Sequence, residues 1–332
     1  MNTKSRYRDL CKINQDIPIF SQDWWLDTVV GESNWDVVTI ERNQEIIASL
    51  PYYKTKKYMF DFIKMPIFTQ CMGIWMKYPN AQKYESKLSY EKELFSLLIE
   101  KLPKFDFFVQ HFHWSITNWS PFFWRGFKQS TRYTYLLKDI TNLEQLFANF
   151  KESTRREIRK AEKVLKIIET TDIEKFYLIN KKSYDRQKQK MPYTFEFLKH
   201  FDEVCQSKNS RKIWFAIDEK GQIHSAIYIL FDKNSAYYLM GGGDPKLRTS
   251  GATSLLIWTA IQYSSTVTQY FDFQGSMHEP IEKFFRGFGA EQKPYFEISK
   301  ANGKLIQWAF FLKGAFWCMQ FPTLLNSNLV TI

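Results

Sequence analysis

Residues 236–253 read AYYLMGGGDPKLRTSGAT, and this stretch decides the architecture of the second half of the chain. Its apolar start, 236–240, predicts a β-strand, and the glycines and Asp244-Pro245 predict a loop. From Ala252 onward the apolar residues recur at helical spacing. A glycine-rich loop entering a helix offers backbone N–H groups and the positive end of the helix dipole to an anion. An ordinary β–α turn also favours glycine, so both interpretations stay open.

Three later segments continue this alternation. Residues 269–273 (QYFDF) predict a second strand, which breaks at the following QGS. Residues 281–289 (IEKFFRGFG) predict a short helix, and residues 294–298 (PYFEI) predict a further strand. From 237 to 295 the order is therefore strand, loop, helix, strand, loop, short helix and strand, which indicates an α/β (α+β) protein.

These residues resemble motifs of the FemAB-like branch of the GNAT acyltransferase superfamily. The segment from Arg248 to Thr253 resembles the pyrophosphate loop R/Q-x-x-G-x-G/A, with Thr253 where the family has Gly or Ala. DFQGS at 272–276 and FRGFG at 285–289 resemble the family signature DFGRS followed by FK and WG. Arg286 stands for the family's lysine, whereas Gly275 and Ser276 stand at the turn where the family has its first arginine.

The resemblance implies tandem GNAT-like domains, each a mixed, mostly antiparallel twisted sheet flanked by helices. The run RREIRKA at 155–161 resembles the helix that begins the second FemAB-like domain. We therefore expect a diverged N-terminal GNAT-like domain at 1–148. Residues 149–332 would form the acyltransferase domain, with the donor and acceptor cleft and a C-terminal helix over 305–321. That apolar tail would otherwise lie in a membrane interface.

The resemblance also implies roles for particular residues. The expected donor-binding residues are those of the pyrophosphate loop: Arg248, Ser250, Gly251, Ala252 and Thr253. The expected catalytic residues are Asp272, which would orient or deprotonate the amine, and Arg286, which would hold a phosphate or a developing negative charge. The structural alternatives are that Asp272 caps the next turn and that Arg286 is a surface residue. The expected acceptor contacts are Tyr184, Arg186, Tyr193, Gln274 and Ser276, with ordinary surface positions as the alternative for the first three.

Composition points to anionic partners. The formal net charge is +11. Aromatic residues make up 18% of the chain, so some of them line a groove or a contact surface, or both domains have large, ring-rich cores. The densest basic segment, 155–163, carries five cations and two acids, and Arg155, Arg159 and Lys163 share one helical face. That face would bind phosphates of a nucleotide, a tRNA or a lipid head group, or it is a solvated face laced with ion pairs.

Other chemistries find little support. The four cysteines are scattered without metal spacing, which is typical of reduced thiols in a cytoplasmic protein. His111 and His113 form a His-x-His pair with no evident third ligand, so we predict no metal site. Neither a signal peptide nor a membrane-spanning segment is indicated. We expect a cytoplasmic protein, with peripheral contact at the inner membrane face as the alternative.

Two functions remain open at this point. The first is an N-acyltransferase or aminoacyltransferase that moves an acyl group from acyl-CoA or aminoacyl-tRNA to an amine. The resemblance implies a small-molecule or lipid-linked acceptor, such as a cell-envelope glycan or lipid precursor. Each donor would be a co-substrate, and no cofactor would be permanently bound. The second is a non-catalytic GNAT pair that binds tRNA or an anionic membrane surface.

Overall fold

The computed structural model describes residues 2–275 and 277–303, which contain ten α-helices and twelve strands. The helices are α1 (Thr3–Ile13), α2 (Asp23–Val30), α3 (Tyr84–Lys101), α4 (Ser120–Trp124), α5 (Leu143–Asn149), α6 (Glu152–Glu162), α7 (Ile173–Arg186), α8 (Phe195–Ser207), α9 (Ala252–Ser264) and α10 (Glu279–Arg286). The strands are β1 (Trp35–Arg42), β2 (Glu45–Lys57), β3 (Phe60–Lys64), β4 (Trp75–Met76), β5 (Phe107–His111), β6 (Lys128–Leu137), β7 (Lys166–Thr170), β8 (Arg211–Ile217), β9 (Ile223–Phe231), β10 (Ser235–Gly243), β11 (Tyr270–Asp272) and β12 (Glu291–Ala301).

The described residues divide into two compact units. Unit 1 comprises 2–132 and 294–303, and unit 2 comprises 133–275 and 277–293. In unit 1 the strand order is β1-β2-β3-β5-β12, with β4 paired to β2, and only β3 and β5 are parallel. In unit 2 the order is β7-β8-β9-β10-β11-β6, and only β10 and β11 are parallel.

The two units repeat one topology. In unit 1, two helices precede antiparallel β1, β2 and β3, and the crossover containing α3 leads to parallel β5. In unit 2, α7 and α8 precede β8, β9 and β10, and α9 leads to parallel β11. Each sheet is mixed, mostly antiparallel and flanked by helices, which confirms the predicted fold class.

The units divide at Arg132/Tyr133 rather than near residue 149. The reason is that β6 pairs with β11, and Leu137, Ile140 and Leu146 lie in the core of unit 2. In the same way, β12 follows β11 along the chain but pairs with β5 of unit 1. Each unit therefore ends its sheet with a strand from the other half of the chain, an exchange that no local pattern in the sequence reports.

Helix α9 is the central helix of unit 2. Nine of its thirteen residues are buried, so it is enclosed around most of its circumference. It packs on β8, β9 and β10 and against α6. On β9, Ile227 and Ile229 belong to the same core as α9, whereas Tyr228 contacts Phe176 of α7 and Phe201 of α8. Because adjacent strand residues point to opposite faces, α9 covers one face of the sheet and α7 and α8 cover the other.

Gly241, Gly242 and Gly243 belong to β10, so the prediction that they form a loop is wrong. Gly242 lies against α7, and a Cβ placed there would be 2.5 Å from Cα of Asn180 and 2.7 Å from the carbonyl oxygen of Ile179. Contacts this close exclude any side chain. The glycine run therefore lets a helix approach a strand and does not mark the end of that strand.

Gly242→Ala is expected to lower the free energy of unfolding by about 2–3 kcal/mol, because the added methyl group forces α7 away from β10. Urea unfolding followed by circular dichroism measures this change. The control is Gly221→Ala, where the new Cβ meets open space and the cost is the strain of a left-handed residue (φ +75°), about 1 kcal/mol. Equal destabilisation by the two variants would contradict the close packing of α7 on β10.

Candidate active site

A gap in strand pairing defines the candidate site in unit 2. β10 and β11 pair only over Ser235–Tyr237 and Tyr270–Asp272. β10 then continues to Gly243, while β11 ends at Asp272. Beyond Tyr237, no described strand pairs with β10 on the side of β11, so its backbone edge is left open to an extended ligand.

The first turn of α9 lies at one end of this open edge. The Thr253 hydroxyl is 2.9 Å from Ser225 Oγ, and Ser225 Oγ also donates a hydrogen bond of 2.9 Å to the carbonyl oxygen of Gly242. Tyr237, opposite Asp272, is five strand residues from Gly242, or about 17 Å. The open edge therefore connects the start of α9 to the carboxyl end of β11.

The start of α9 has the electrostatics of an anion site. The N-cap residue, Gly251, has no side chain with which to cap the helix, and the first turn contains no acidic residue. Arg248 is exposed just before it, and Lys160 Nζ is 3.4 Å from the carbonyl oxygen of Thr249. Burial and, second, the charge of Arg248 lower the pKa of Arg186, which places Arg186 in the same positive field. An anion is favoured beside such a helix end.

Gly251 has a structural role in the turn before α9. Its φ of +77° is left-handed, and a Cβ there would be 2.7 Å from the carbonyl oxygen of Glu157 on α6. Glycine is therefore required both by the turn and by the packing of α6, because a Cβ at this position would point at α6. Next to it, Ser250 Oγ accepts a 3.3 Å hydrogen bond from the N–H of Ala252, which is buried.

Asp272 is buried at the end of β11. Its Oδ1 accepts hydrogen bonds from the Thr134 hydroxyl at 2.5 Å and from the Gln274 N–H at 2.7 Å. The second bond caps the following turn, as in the structural alternative for this residue. In the described part of the chain, Oδ2 accepts no hydrogen bond. Burial raises the pKa of Asp272 to about 6, against the lowering effect of the two bonds on Oδ1.

The turn after Asp272 is conformationally unusual. Gln274 and Gly275 both have φ of +62°, which is uncommon for a residue with a side chain. A Cβ at Gly275 would be 2.1 Å from the carbonyl oxygen of Tyr133. The family signature has an arginine at this position, and this contact leaves no room for its side chain here. Gln274 is buried, and Ser276 lies outside the described residues.

Arg286 lies at the end of α10 and is largely exposed. Its Nε is 2.8 Å from Glu282 Oε1, an i,i+4 ion pair, and Glu282 also accepts a 3.0 Å hydrogen bond from the Tyr135 hydroxyl. Exposure and pairing agree with the surface interpretation, and the structure gives no contact between Arg286 and Asp272.

The predicted acceptor residues separate into two environments. Tyr184 and Tyr193 are buried and meet edge to face at 6.5 Å, so neither is a surface residue. The Tyr193 hydroxyl donates to Asn180 Oδ1 at 2.5 Å, and Asn180 Nδ2 donates to the carbonyl oxygen of Gly241 at 2.6 Å. Arg186 instead lies in the positive field with Arg248.

Sequence reasoning missed the polar residues that support this site. Asn180, Ser183, Thr134 and Ser225 are all buried and hydrogen-bonded to β10, to Asp272 or to α9. Asn180 and Ser183 did leave a signal, because they lie on the buried stripe of α7 that contains Phe176. Polar residues on such a stripe need partners.

The two histidines of the His-x-His pair take other partners. His111 Nδ1 is 3.0 Å from the carbonyl oxygen of Gln70, and its Nε2 is 3.1 Å from Glu297 Oε2, which also accepts from Arg132 Nε at 2.6 Å. His113 Nδ1 is 2.7 Å from the Ser115 hydroxyl. Three or more His, Cys, Asp or Glu side chains do not form a metal-binding group anywhere in 2–275 or 277–303.

Comparison with known proteins identifies the fold. Residues 148–280 match the family model of the acetyltransferase (GNAT) domain. The crystal structure of FemX superposes with a TM-score of 0.66 at 12% identity, covering 89% of this chain and 96% of that chain. The chain has a FemAB-like GNAT fold.

Two more solved structures share this FemAB-like fold. One is the C-terminal DUF2156 domain of an Agrobacterium fabrum protein assigned as a lysylphosphatidylglycerol synthetase: TM-score 0.54, 10% identity, 94% of each chain. The other is a conserved protein of unknown function from Bacteroides thetaiotaomicron: TM-score 0.55, 10% identity, 88% of this chain and 96% of that chain. No curated protein matches the sequence.

Asp272→Asn is expected to change how stability depends on pH. Because the pKa of Asp272 is raised in the folded state, this residue stabilises the fold most when protonated, below about pH 4, and that contribution is lost as pH rises to about 6. Asparagine keeps the Oδ1 acceptor and does not ionise. The variant should match the wild type near pH 4 and exceed its stability near pH 7 by up to about 3 kcal/mol.

The measurement is urea unfolding of both proteins across this pH range. The contributions of the other titrating groups cancel in the difference between the two unfolding free energies. A difference that stays constant with pH would contradict the raised pKa of Asp272.

Proposed function

We propose that this protein is an N-acyltransferase or aminoacyltransferase whose donor lies along the open edge of β10. One observation carries the proposal: the open edge joins a cationic helix N-terminus to a buried carboxyl group whose pKa is raised. The GNAT domain match and the FemAB-like fold support acyl or aminoacyl transfer in general.

The donor's phosphate would bind at the first turn of α9. The N–H groups of that turn, Arg248 and Arg186 supply the positive charge. A donor with phosphate at one end and an activated acyl group at the other fits the distance of about 17 Å along β10. Acyl-CoA has this layout, because its pantetheine arm separates the pyrophosphate from the thioester. Aminoacyl-tRNA would instead place a phosphate of a preceding nucleotide at α9, and either donor would act as a co-substrate. Arg186 is thereby reassigned from the acceptor to the donor.

The acceptor amine would approach the carboxyl end of β11. Its nitrogen attacks the acyl carbonyl carbon, a C–N bond forms, and the C–S bond of a thioester or the C–O bond of an ester breaks. Asp272, with Oδ2 available and a pKa of about 6, takes the proton of the amine and passes it to the leaving thiolate or alkoxide, which restores the carboxylate. In this proposal Arg286 would stabilise negative charge only after release from Glu282.

The proposed acceptor class is supported by one structural relative. One structural relative is assigned as a lysylphosphatidylglycerol synthetase, a name that combines an aminoacyl group with a lipid. We propose a small-molecule or lipid-linked amine of the cell envelope, reached from the cytoplasmic side of the membrane. In the described residues, no helix is long and apolar enough to cross a bilayer.

Arg248→Ala is expected to weaken donor binding about tenfold or more, because a charged contact to a phosphate at a helix end is lost. Calorimetric titration with coenzyme A, a long-chain acyl-CoA and bulk aminoacyl-tRNA, at about 50 and 200 mM salt, measures this and separates the donors. The control is Arg156→Ala on α6, whose arginine is exposed and only loosely paired with Glu152 at 3.8 Å. Equal affinity of Arg248→Ala and wild type for all three ligands would refute the donor site.

A non-catalytic binding protein is the second candidate, because Oδ1 of Asp272 caps a turn and Arg286 is paired. Asp272→Asn distinguishes the two. For an enzyme, the variant retains donor binding but loses acyl transfer, measured as donor consumption that depends on added amine. For a binding protein, wild type and variant both bind the donor and neither consumes it.

A further inference from the structure

The hairpin between β2 and β3 has a hydrophobic tip in a basic setting. Lys57 pairs with Phe60, so the loop has only two residues, Tyr58 and Met59. They are 86% and 75% exposed, among the most exposed large apolar residues in the described part of the chain. A side chain this exposed contributes nothing to the core, so packing does not explain the choice of these residues.

Turn chemistry does not explain the choice either. Tyr58 has φ of +56° and Met59 is not left-handed, a pattern that fits a type II′ turn, whose first position favours glycine. The same unit contains another two-residue hairpin loop, between β1 and β2, and its residues Asn43 and Gln44, with φ of +50° and +66°, are both polar. The β2–β3 loop therefore places a strained aromatic residue where a glycine would be relaxed.

The surrounding charge indicates what the tip binds. Residues 54–64 contain four lysines and one acid, Asp61, which pairs with Lys54 at 3.6 Å. Lys56, Lys57 and Lys64 are exposed, and in the described part of the chain no carboxylate lies within ion-pair distance of them. Lys57 Nζ is 5.8 Å from the ring centroid of Tyr58, so cation and ring occupy the same surface.

We infer that the β2–β3 hairpin docks on an anionic phospholipid surface. Tyr58 and Met59 would enter the interface between head groups and acyl chains, where an amphipathic ring and a flexible apolar chain are both favoured. Lys56 and Lys57, next to the tip, would meet the lipid phosphates. Methionine favours lipid over single-stranded nucleic acid, because it has no flat face on which a base stacks. The inference does not depend on acyl transfer.

Cosedimentation with phosphatidylglycerol-containing vesicles, and with pure phosphatidylcholine vesicles as reference, tests the docking. The double variant Tyr58→Gly/Met59→Asn is expected to reduce partition onto the anionic vesicles about tenfold. Gly-Asn suits a two-residue hairpin, so this variant should unfold at the same or a higher urea concentration than the wild type. Lost binding then cannot be attributed to lost folding.

The lysines require a second pair of variants with equal change in charge. Lys56→Gln/Lys57→Gln should weaken anionic vesicle binding about fivefold per lysine, whereas Lys199→Gln/Lys208→Gln on and after α8 should leave it unchanged. The inference is overturned if the wild type does not bind anionic vesicles, or if the two double lysine variants bind them equally well. It is also overturned if Tyr58→Gly/Met59→Asn binds the vesicles as the wild type does. The inference is also overturned if the Tyr58→Gly/Met59→Asn variant loses binding to single-stranded RNA while its binding to vesicles is unchanged. That result would identify nucleic acid as the partner of the hairpin.

Discussion

The contact between Gly242 and Asn180 is the constraint on which unit 2 depends. Because β10 has no side chain there, α7 comes to within van der Waals distance of the strand backbone. Asn180 and Ser183 then reach the backbone of Gly241 and Gly243. On the opposite face, Ser225 connects Gly242 to the first turn of α9. One close packing contact thus fixes the positions of the strand edge, the buried polar groups and the helix end.

Because the two units repeat one topology, the ends of their second parallel strands can be compared directly. Both units place a crossover helix between two parallel strands, and both bring a residue with an ionisable side chain to the end of the second strand. In unit 1 that residue is His111, whose two ring nitrogens face Gln70 and Glu297. In unit 2 it is Asp272, whose Oδ2 accepts no hydrogen bond from the described residues.

Much of the fold could be predicted from the sequence, because local patterns specify local elements. The predicted order of strands and helices in 237–298 is confirmed by the structure. The glycine run was misread, because a turn and a close helix contact both require glycine and differ only in a distant partner, Asn180. The exchanged strands β6 and β12 were not predictable for the same reason: their pairing is decided by residues far away in the chain.

The candidate site was predictable to a smaller extent, and Asp272 shows why. Its position at a strand end follows from the sequence, but its chemistry follows from burial, which raises its pKa, and from Thr134 and Gln274, which hold Oδ1. The two interpretations of Asp272, turn cap and proton acceptor, are compatible because they use different oxygens. A carboxylate fixed by one oxygen keeps the other in a defined direction, so the cap is also what orients a base.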